Sequence, residues 1–346
     1  MIPSGTGRFR TVRSMIVIHQ GALGDFILAL PTLSALRETF PQARTAMMGY
    51  PRILQLAKDR FYADEIYSVD QRGMASFFVR EGGLDHDLSR FFSGFDLIVV
   101  FGKDREGPLI QNLRKVSRGE ILHLDSLPKW DEGVHLADHL LNQLSQYGLS
   151  PGERLPRLFL KGEDRDWANH FWLTHGVNPE ERSKIILLHP GSGSRKKVWP
   201  LNRFLDLLRW LSPRLEGRFL VVLGPAEGPE VQKAFEQVDG PRPVIARGLS
   251  LVELASVMEG ARLFIGNDSG ISHLAAALRI PVVAIFGPTD PRVWSPRGEK
   301  VVVIRKGLPC TPCAEERFFL CKEMACLDQI TLSDVIEGLR QMGLKV

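Results

Sequence analysis

Between residues 184 and 287 the chain repeats one pattern. A short apolar run meets a break of glycine, proline or small polar residues, and a segment of helical periodicity follows. The apolar runs are KIILLHP (184–190), RFLVVLG (218–224), PVIA (243–246), RLFIG (262–266) and PVVAIFG (281–287). The periodic segments are LNRFLDLLRWL (201–211), residues 229–238, SLVELASVMEGA (250–261) and ISHLAAALR (271–279). Runs that are apolar at nearly every position need cover on both faces. Strand–helix alternation supplies that cover through a parallel sheet with right-handed crossovers. Ser250 and Glu253 have the spacing of a capping box, which fixes one helix start.

The first part of the chain reads the same way with less regularity. MIVIH (15–19) is a strand, a glycine turn follows, and an amphipathic helix runs to about Phe40. ARTAMMG (43–49), FDLIVVFG (95–102) and EILHLD (120–125) are further strands, and VHLADHLLNQLSQYGL (134–149) is a helix with Gly148 as its C-terminal cap. Proline, glycine and charge then crowd LSPGERLPRLFLKGEDRDW, so the domain boundary falls near 155–165. The expectation is an α/β protein of two doubly wound domains, 14–160 and 170–330, followed by an amphipathic helix at TLSDVIEGLRQMG (331–343) that needs a face to pack on. In such sheets ligands bind beyond the carboxyl ends of the strands.

Composition narrows the functions. Hydrophobic residues make up 44% and charged residues 24% of 346, an ordinary globular balance. The net charge of +4 suits an anionic ligand or an acidic membrane surface, and no nucleic-acid module is legible. No apolar run reaches the roughly 18 residues of a membrane-spanning helix. The basic, polar residues 1–13 read as a disordered lead-in. A cytoplasmic protein is expected, with peripheral contact to the inner face of the cytoplasmic membrane as an open alternative.

Every conspicuous polar cluster follows a strand. In HPGSGSRKKVWP (189–200), small residues let backbone N–H groups approach an anion; Ser192 and Ser194 add hydroxyls, and Arg195, Lys196 and Lys197 add charge. The competing reading is a solvated basic loop. In FIGNDSGISHLAAAL (264–278), Ser269, Gly270 and Ile271 offer the unpartnered N–H groups of a helix start, where the dipole favours an anion. A plain cap by Asp268 or Ser269 explains part of that set. His273, one turn on, is a neighbour of the same site. Thr289 and Asp290 of FGPTDPRVWSP (286–296) and Glu227 of GPAEG (224–228) could meet a sugar or phosphate, though turn chemistry accounts for Asp290 nearly as well. Asp25, after Gly21 and Gly24, could be a cap, a metal ligand or a base.

Other signals point less clearly. His135 and His139 stand four apart beside Asp138, but no further ligand signature follows, and a stabilised interface face is the expected use. Cys310, Cys313, Cys321 and Cys326 could hold a structural metal, yet their spacing is irregular for zinc or an iron–sulfur cluster, and a folded loop of thiols is the alternative. The G-x-x-G-D turn is neither a dinucleotide fingerprint nor a P-loop, and the G-x-S-x-G elbow of hydrolases fails.

Taken together, IVIHQGALGDFILALPTLSALRETFP, LLHPGSGSRKKVWP, GNDSGISHLAAAL and VVAIFGPTDPRVWSP resemble the ADP-heptose–lipopolysaccharide heptosyltransferases over about residues 15–340. The resemblance implies a GT-B fold: two Rossmann-like domains facing across a cleft, acceptor on the first and nucleotide-sugar on the second, with the helix within 331–346 packing back on the first. It implies inverting transfer of heptose from ADP-heptose to the lipopolysaccharide inner core, with no cofactor. It gives Asp25 the general base, with Gly21 and Gly24 on the acceptor side. It sends Ser192, Lys197, Glu227, Asp268, Ser269 and Gly270 to the donor, and the reading of the loops themselves adds Gly193 and His273. Competing readings are a transferase with another sugar or acceptor (glycan or protein O-heptosylation), a non-catalytic nucleotide-binding module, and a sugar-nucleotide epimerase, the last weakened by the missing fingerprint.

Overall fold

The computed structural model describes residues 12–103, 105–128, 133–149, 152–240 and 242–345. Most of the polar lead-in, residues 1–11, lies outside them. The chain divides into two compact units, Met1–Arg154 and Leu155–Val346.

The first unit holds five parallel strands: β1 (Ser14–His19), β2 (Arg44–Gly49), β3 (Glu65–Ser68), β4 (Leu97–Gly102) and β5 (Glu120–Asp125). Their order is β3-β2-β1-β4-β5. The order reverses between β1 and β4, which places the crevice for a ligand at their carboxyl ends. The helix Leu23–Thr39 follows β1 and is buried continuously from Phe26 to Leu36. It has no polar face over that stretch, which is why even Pro31, Thr32 and Ser34 are enclosed. Ile16, Ile18, Met48, Val100, Phe77 and Phe92 fill one face of the sheet.

The second unit is a six-stranded parallel sheet of β6 (Ile186–His189), β7 (Phe219–Leu223), β8 (Val244–Arg247), β9 (Leu263–Asn267), β10 (Val282–Ile285) and β11 (Val301–Ile304). Its order, β11-β10-β9-β6-β7-β8, is the dinucleotide-fold arrangement with the switch point between β6 and β9. The expected capping box is made: Ser250 accepts from the Glu253 N–H, and Glu253 accepts from the Ser250 N–H at 2.7 Å. Gly162–Thr174, which falls across the expected boundary, belongs to this unit. Its buried Trp172 donates to the Val257 carbonyl at 3.1 Å, and Arg165 pairs with Glu259 at 2.8 Å.

The terminal helix, Leu332–Gln341, packs within the second unit. Its Val335 and Leu339 lie in the second unit's own core with Ile304, and Lys306 pairs with Asp334 at 2.8 Å. The physical reason is the edge strand β11, whose outward face would be bare without it; Gly338 comes so close that a Cβ there would lie 2.4 Å from Ile304. Among the described residues no helix is long and apolar enough to cross a membrane.

Candidate functional site

In the second unit, four neighbouring strand ends bring four polar loops side by side. Register pairs His189 of β6 with Gly266 of β9, and Ile285 of β10 with Asn267. His189 Nδ1 meets the Val222 carbonyl of β7 at 2.9 Å. Burial pushes the His189 imidazole below its usual pKa, although the Val222 carbonyl and Glu227 oppose the shift.

The loops are then tied by side chains. Asn267 is fully buried and sits at the centre. Its amide nitrogen donates to the carbonyls of Pro190 at 2.8 Å and Gly191 at 3.2 Å, and its oxygen accepts the Trp199 N–H at 3.0 Å. Ser192 donates its hydroxyl to the Asp268 carbonyl at 2.8 Å. Lys197 reaches the Asp268 carboxylate at 2.9 Å, and the Thr289 hydroxyl reaches the same oxygen. Trp199 is buried in the core and donates to the Ile330 carbonyl at 2.9 Å, which anchors the basic loop.

Not all of the basic run serves this cluster. Lys196 turns the other way and donates to the carbonyls of Phe318 and Phe319, both at 2.6 Å. Ser194 caps the Arg195–Lys197 turn by accepting the Lys196 N–H at 3.3 Å. A side chain at Gly193 would meet nothing within 4 Å.

Ser269 caps the helix Gly270–Ala277, accepting the Ser272 N–H at 3.4 Å. The cap is a neutral hydroxyl, so the partial positive charge of the helix end is left uncompensated by its own first turn. Gly270 begins the helix, and His273 is buried one turn in. Glu227 is buried against the β6 loop. Its carboxylate accepts the Gly224 N–H at 2.6 Å, and a Cβ on Gly191 would lie 2.1 Å from it. Gly191 is therefore glycine because Glu227 occupies the space of a side chain.

Asp290 is accounted for by its turn. Burial works against its charge, but the Arg292 guanidinium at 2.7 Å and the Arg292 N–H hold the carboxyl below the usual range. His135 caps its helix by accepting the Ala137 N–H, His139 contacts the Asp125 carbonyl at 3.1 Å, and Asp138 pairs with Arg154 at 3.5 Å.

In the first unit the β1 turn is simpler. Asp25 is half-buried in the first turn of the helix and accepts the Ala22 N–H at 3.0 Å. A Cβ on Gly21 would lie 2.7 Å from both Asp25 and the His19 ring, so this turn closes only with glycine there. Gly24 lies within the helix's first turn. His19 is buried between the edges of Phe26 and Phe101, and burial lowers its pKa from 6.5 to about 4.

The four cysteines fall in one region, with Cys313 and Cys326 buried, Cys321 half-buried and Cys310 exposed. Burial pushes the Cys326 thiol up to about 11, with the neighbouring Cys313, Cys310 and Cys321 adding to the shift. Asn267 is the residue that sequence reasoning overlooked. Its only sequence signal is an amide at the end of a buried strand, where it must be satisfied by something.

The family model for glycosyltransferase family 9 (heptosyltransferase) matches residues 145–322. Lipooligosaccharide heptosyltransferase 2 of Campylobacter jejuni subsp. jejuni serotype O:2 is 37% identical over 328 residues, 92% of this chain and 95% of that protein. Among solved structures, a family 9 glycosyl transferase from Veillonella parvula superposes with a TM-score of 0.77 at 22% identity, over 99% of this chain and 100% of that one. The E. coli ADP-heptose lps heptosyltransferase II superposes with a TM-score of 0.70 at 18% identity, over 95% and 98%. With two parallel doubly wound sheets, these likenesses give the GT-B fold class. The chain is a glycosyltransferase and belongs to family 9, the heptosyltransferases.

Proposed function

We propose that this heptosyltransferase takes ADP-heptose as donor and the lipopolysaccharide inner core as acceptor, inverts the anomeric carbon, and uses Asp25 as general base. One observation carries the reading: Lys197 and the hydroxyl-capped start of Gly270–Ala277 stand together where the β6, β9 and β10 loops meet. A diphosphate needs that combination of a cation and outward N–H groups.

The chemistry follows from the groups. The acceptor hydroxyl attacks the anomeric carbon from the face opposite ADP, while a carboxylate in hydrogen-bond reach takes its proton. The bond to the departing phosphate oxygen breaks and ADP leaves with the electron pair. Lys197 and the N–H groups at 269–271 offset the charge that grows there. Ser192 and Asp268 position the loops, and Glu227 is offered to the ribose hydroxyls. The net charge of +4 favours approach to an anionic membrane surface bearing the acceptor.

The test is purified protein with ADP-heptose and a panel of core-truncated lipid A acceptors, run beside Asp25→Asn. Acceptor-dependent ADP release, lost in the variant while ADP still binds, is the expected result. No release with any acceptor would sink the donor–acceptor assignment.

A further inference from the structure

The proposed transfer chemistry leaves one side of the first unit unused. β5 is an edge strand of its sheet, and β4 separates it from β1. Two strand spacings, about 10 Å, therefore lie between β5 and the strand that leads to Asp25. An edge strand needs cover. The helix Leu136–Gln146 and the residue after it cover the carboxyl half of this one. Gln143 accepts the Asp125 N–H at 2.7 Å and donates to the Asp125 carbonyl at 3.0 Å. The Tyr147 hydroxyl donates to the His123 carbonyl at 3.3 Å.

Beside the amino half lies a cavity of about 280 Å³, with Gly119, Glu120 and Ile121 in its wall. The helix Pro108–Val116 lines another side with Ile110 and Arg114, and Arg105 comes from the loop before that helix. His123 and Tyr147 stand at the same wall. Two guanidiniums thus line one space against a single carboxylate, Glu120. Arg114 meets Glu106 at 3.5 Å with both side chains largely exposed, a pairing worth little in water. Arg105 is exposed and pairs with no carboxylate among the described residues. Guanidinium forks match the oxygens of a phosphate, and a sheet edge adds backbone N–H groups to such a concavity. Ser117 fixes the turn at this end, accepting the Gly119 N–H at 3.1 Å and donating to the Gly119 carbonyl at 3.2 Å. A phosphate alone fills only part of the space. Ile110, Ile121 and the Tyr147 ring line it too, which suits a short carbon skeleton.

We propose that this cavity binds a small phosphomonoester, at a site separate from the transfer machinery. Arg105 and Arg114 hold the phosphate oxygens, and Glu120 opposes the anion and so limits its affinity. Binding through two exposed guanidiniums weakens as salt rises. A free sugar phosphate and the headgroup of a phosphorylated lipid carry the same chemistry.

The test uses the full-length protein and needs no transfer reaction. Glycerol 3-phosphate is titrated by calorimetry at low salt, with glycerol as the neutral control. In a second arm the protein is sedimented with phosphatidylcholine vesicles, with and without phosphatidic acid. The expected result is saturable binding of the phosphomonoester and none of glycerol. Arg105→Ala and Arg114→Ala, both at exposed positions, should each weaken binding at least about tenfold. Glu120→Gln should tighten it severalfold, because a repelling charge is removed. Lys197→Ala should leave it unchanged, which separates this site from the loops of the second unit. Phosphatidic-acid-dependent sedimentation, lost in the Arg105→Ala/Arg114→Ala double variant, makes the ligand a lipid headgroup. Binding of the soluble ester alone, lost in the same variant, makes it a free metabolite. Absence of binding in both arms, binding unchanged in the double variant, or binding lost in Lys197→Ala overturns the site.

Discussion

The two units begin alike and part at one residue. Each first strand ends in a buried histidine held neutral, His19 in one and His189 in the other. Each runs into a glycine that admits a carboxylate: Gly21 makes room for Asp25, and Gly191 for Glu227. In the first unit the acid sits inside the following helix and takes up the Ala22 N–H itself. A negative charge there already satisfies the helix end. In the second unit the helix at the switch point is capped by the neutral Ser269, and the nearby carboxylate, Asp268, is spent on Lys197 and Thr289. One topology thus makes a helix start met by its own carboxylate and a helix start left with a neutral cap, depending on where the carboxylate is placed.

The largest expected effect breaks the first turn. Asp25→Asn should lower turnover by roughly 10²–10⁴-fold, the usual worth of a general base, with ADP affinity unchanged in a titration. A variant that still turns over would reduce Asp25 to a cap. Asn267→Ala attacks the second turn's frame. It strips partners from two carbonyls and one N–H in the core and should cost about 3 kcal/mol in urea unfolding. A loss under about 1 kcal/mol would mean water replaces the amide.

Acid sharpens what the two turns share. His19 is neutral in the fold with a pKa of about 4 against 6.5 unfolded. The unfolded chain therefore binds the proton more readily, and stability is full above pH 6.5 and falls as pH drops toward 4. The loss should reach about 3 kcal/mol from this one group. His19→Gln should flatten that part of the pH–stability curve, and an unchanged slope would assign the acid sensitivity elsewhere.

Lys197→Ala should weaken ADP binding about tenfold by calorimetry, as for a lost charge-assisted hydrogen bond, with little change in acceptor dependence. If acceptor KM moved instead, the division of labour between the turns would be wrong. The smallest effect is Ser269→Ala, about 1 kcal/mol of stability for a lost cap.

The two sheets were legible because their central strands are apolar runs bounded by glycine and proline, as in KIILLHP and PVVAIFG. Glu65–Ser68 was not, because it is a half-exposed edge strand with no apolar face to advertise it. Val301–Ile304 is a four-residue, mostly half-buried edge strand, and it passed unread although Gly307 and Pro309 follow it. Ser250 with Glu253 fixed a helix start because both partners lie within one turn. In the candidate site, residue types could be read but their bonds could not. Asn267 reaches Pro190, Gly191 and Trp199 across 68 to 77 residues of sequence, and only the strand order brings them together. In 331–343 the amphipathic stripe says that a face is needed, not which one.

Asn267 also sets a rule for anyone who would re-engineer this protein. Because one amide fastens the end of β9 to both ends of the basic loop after β6, neither can be exchanged alone for a relative's version. A graft in this region would have to carry 190–199 and 267–269 as one cassette. The β7 loop with Glu227 can join it only if position 191 in the recipient is also glycine.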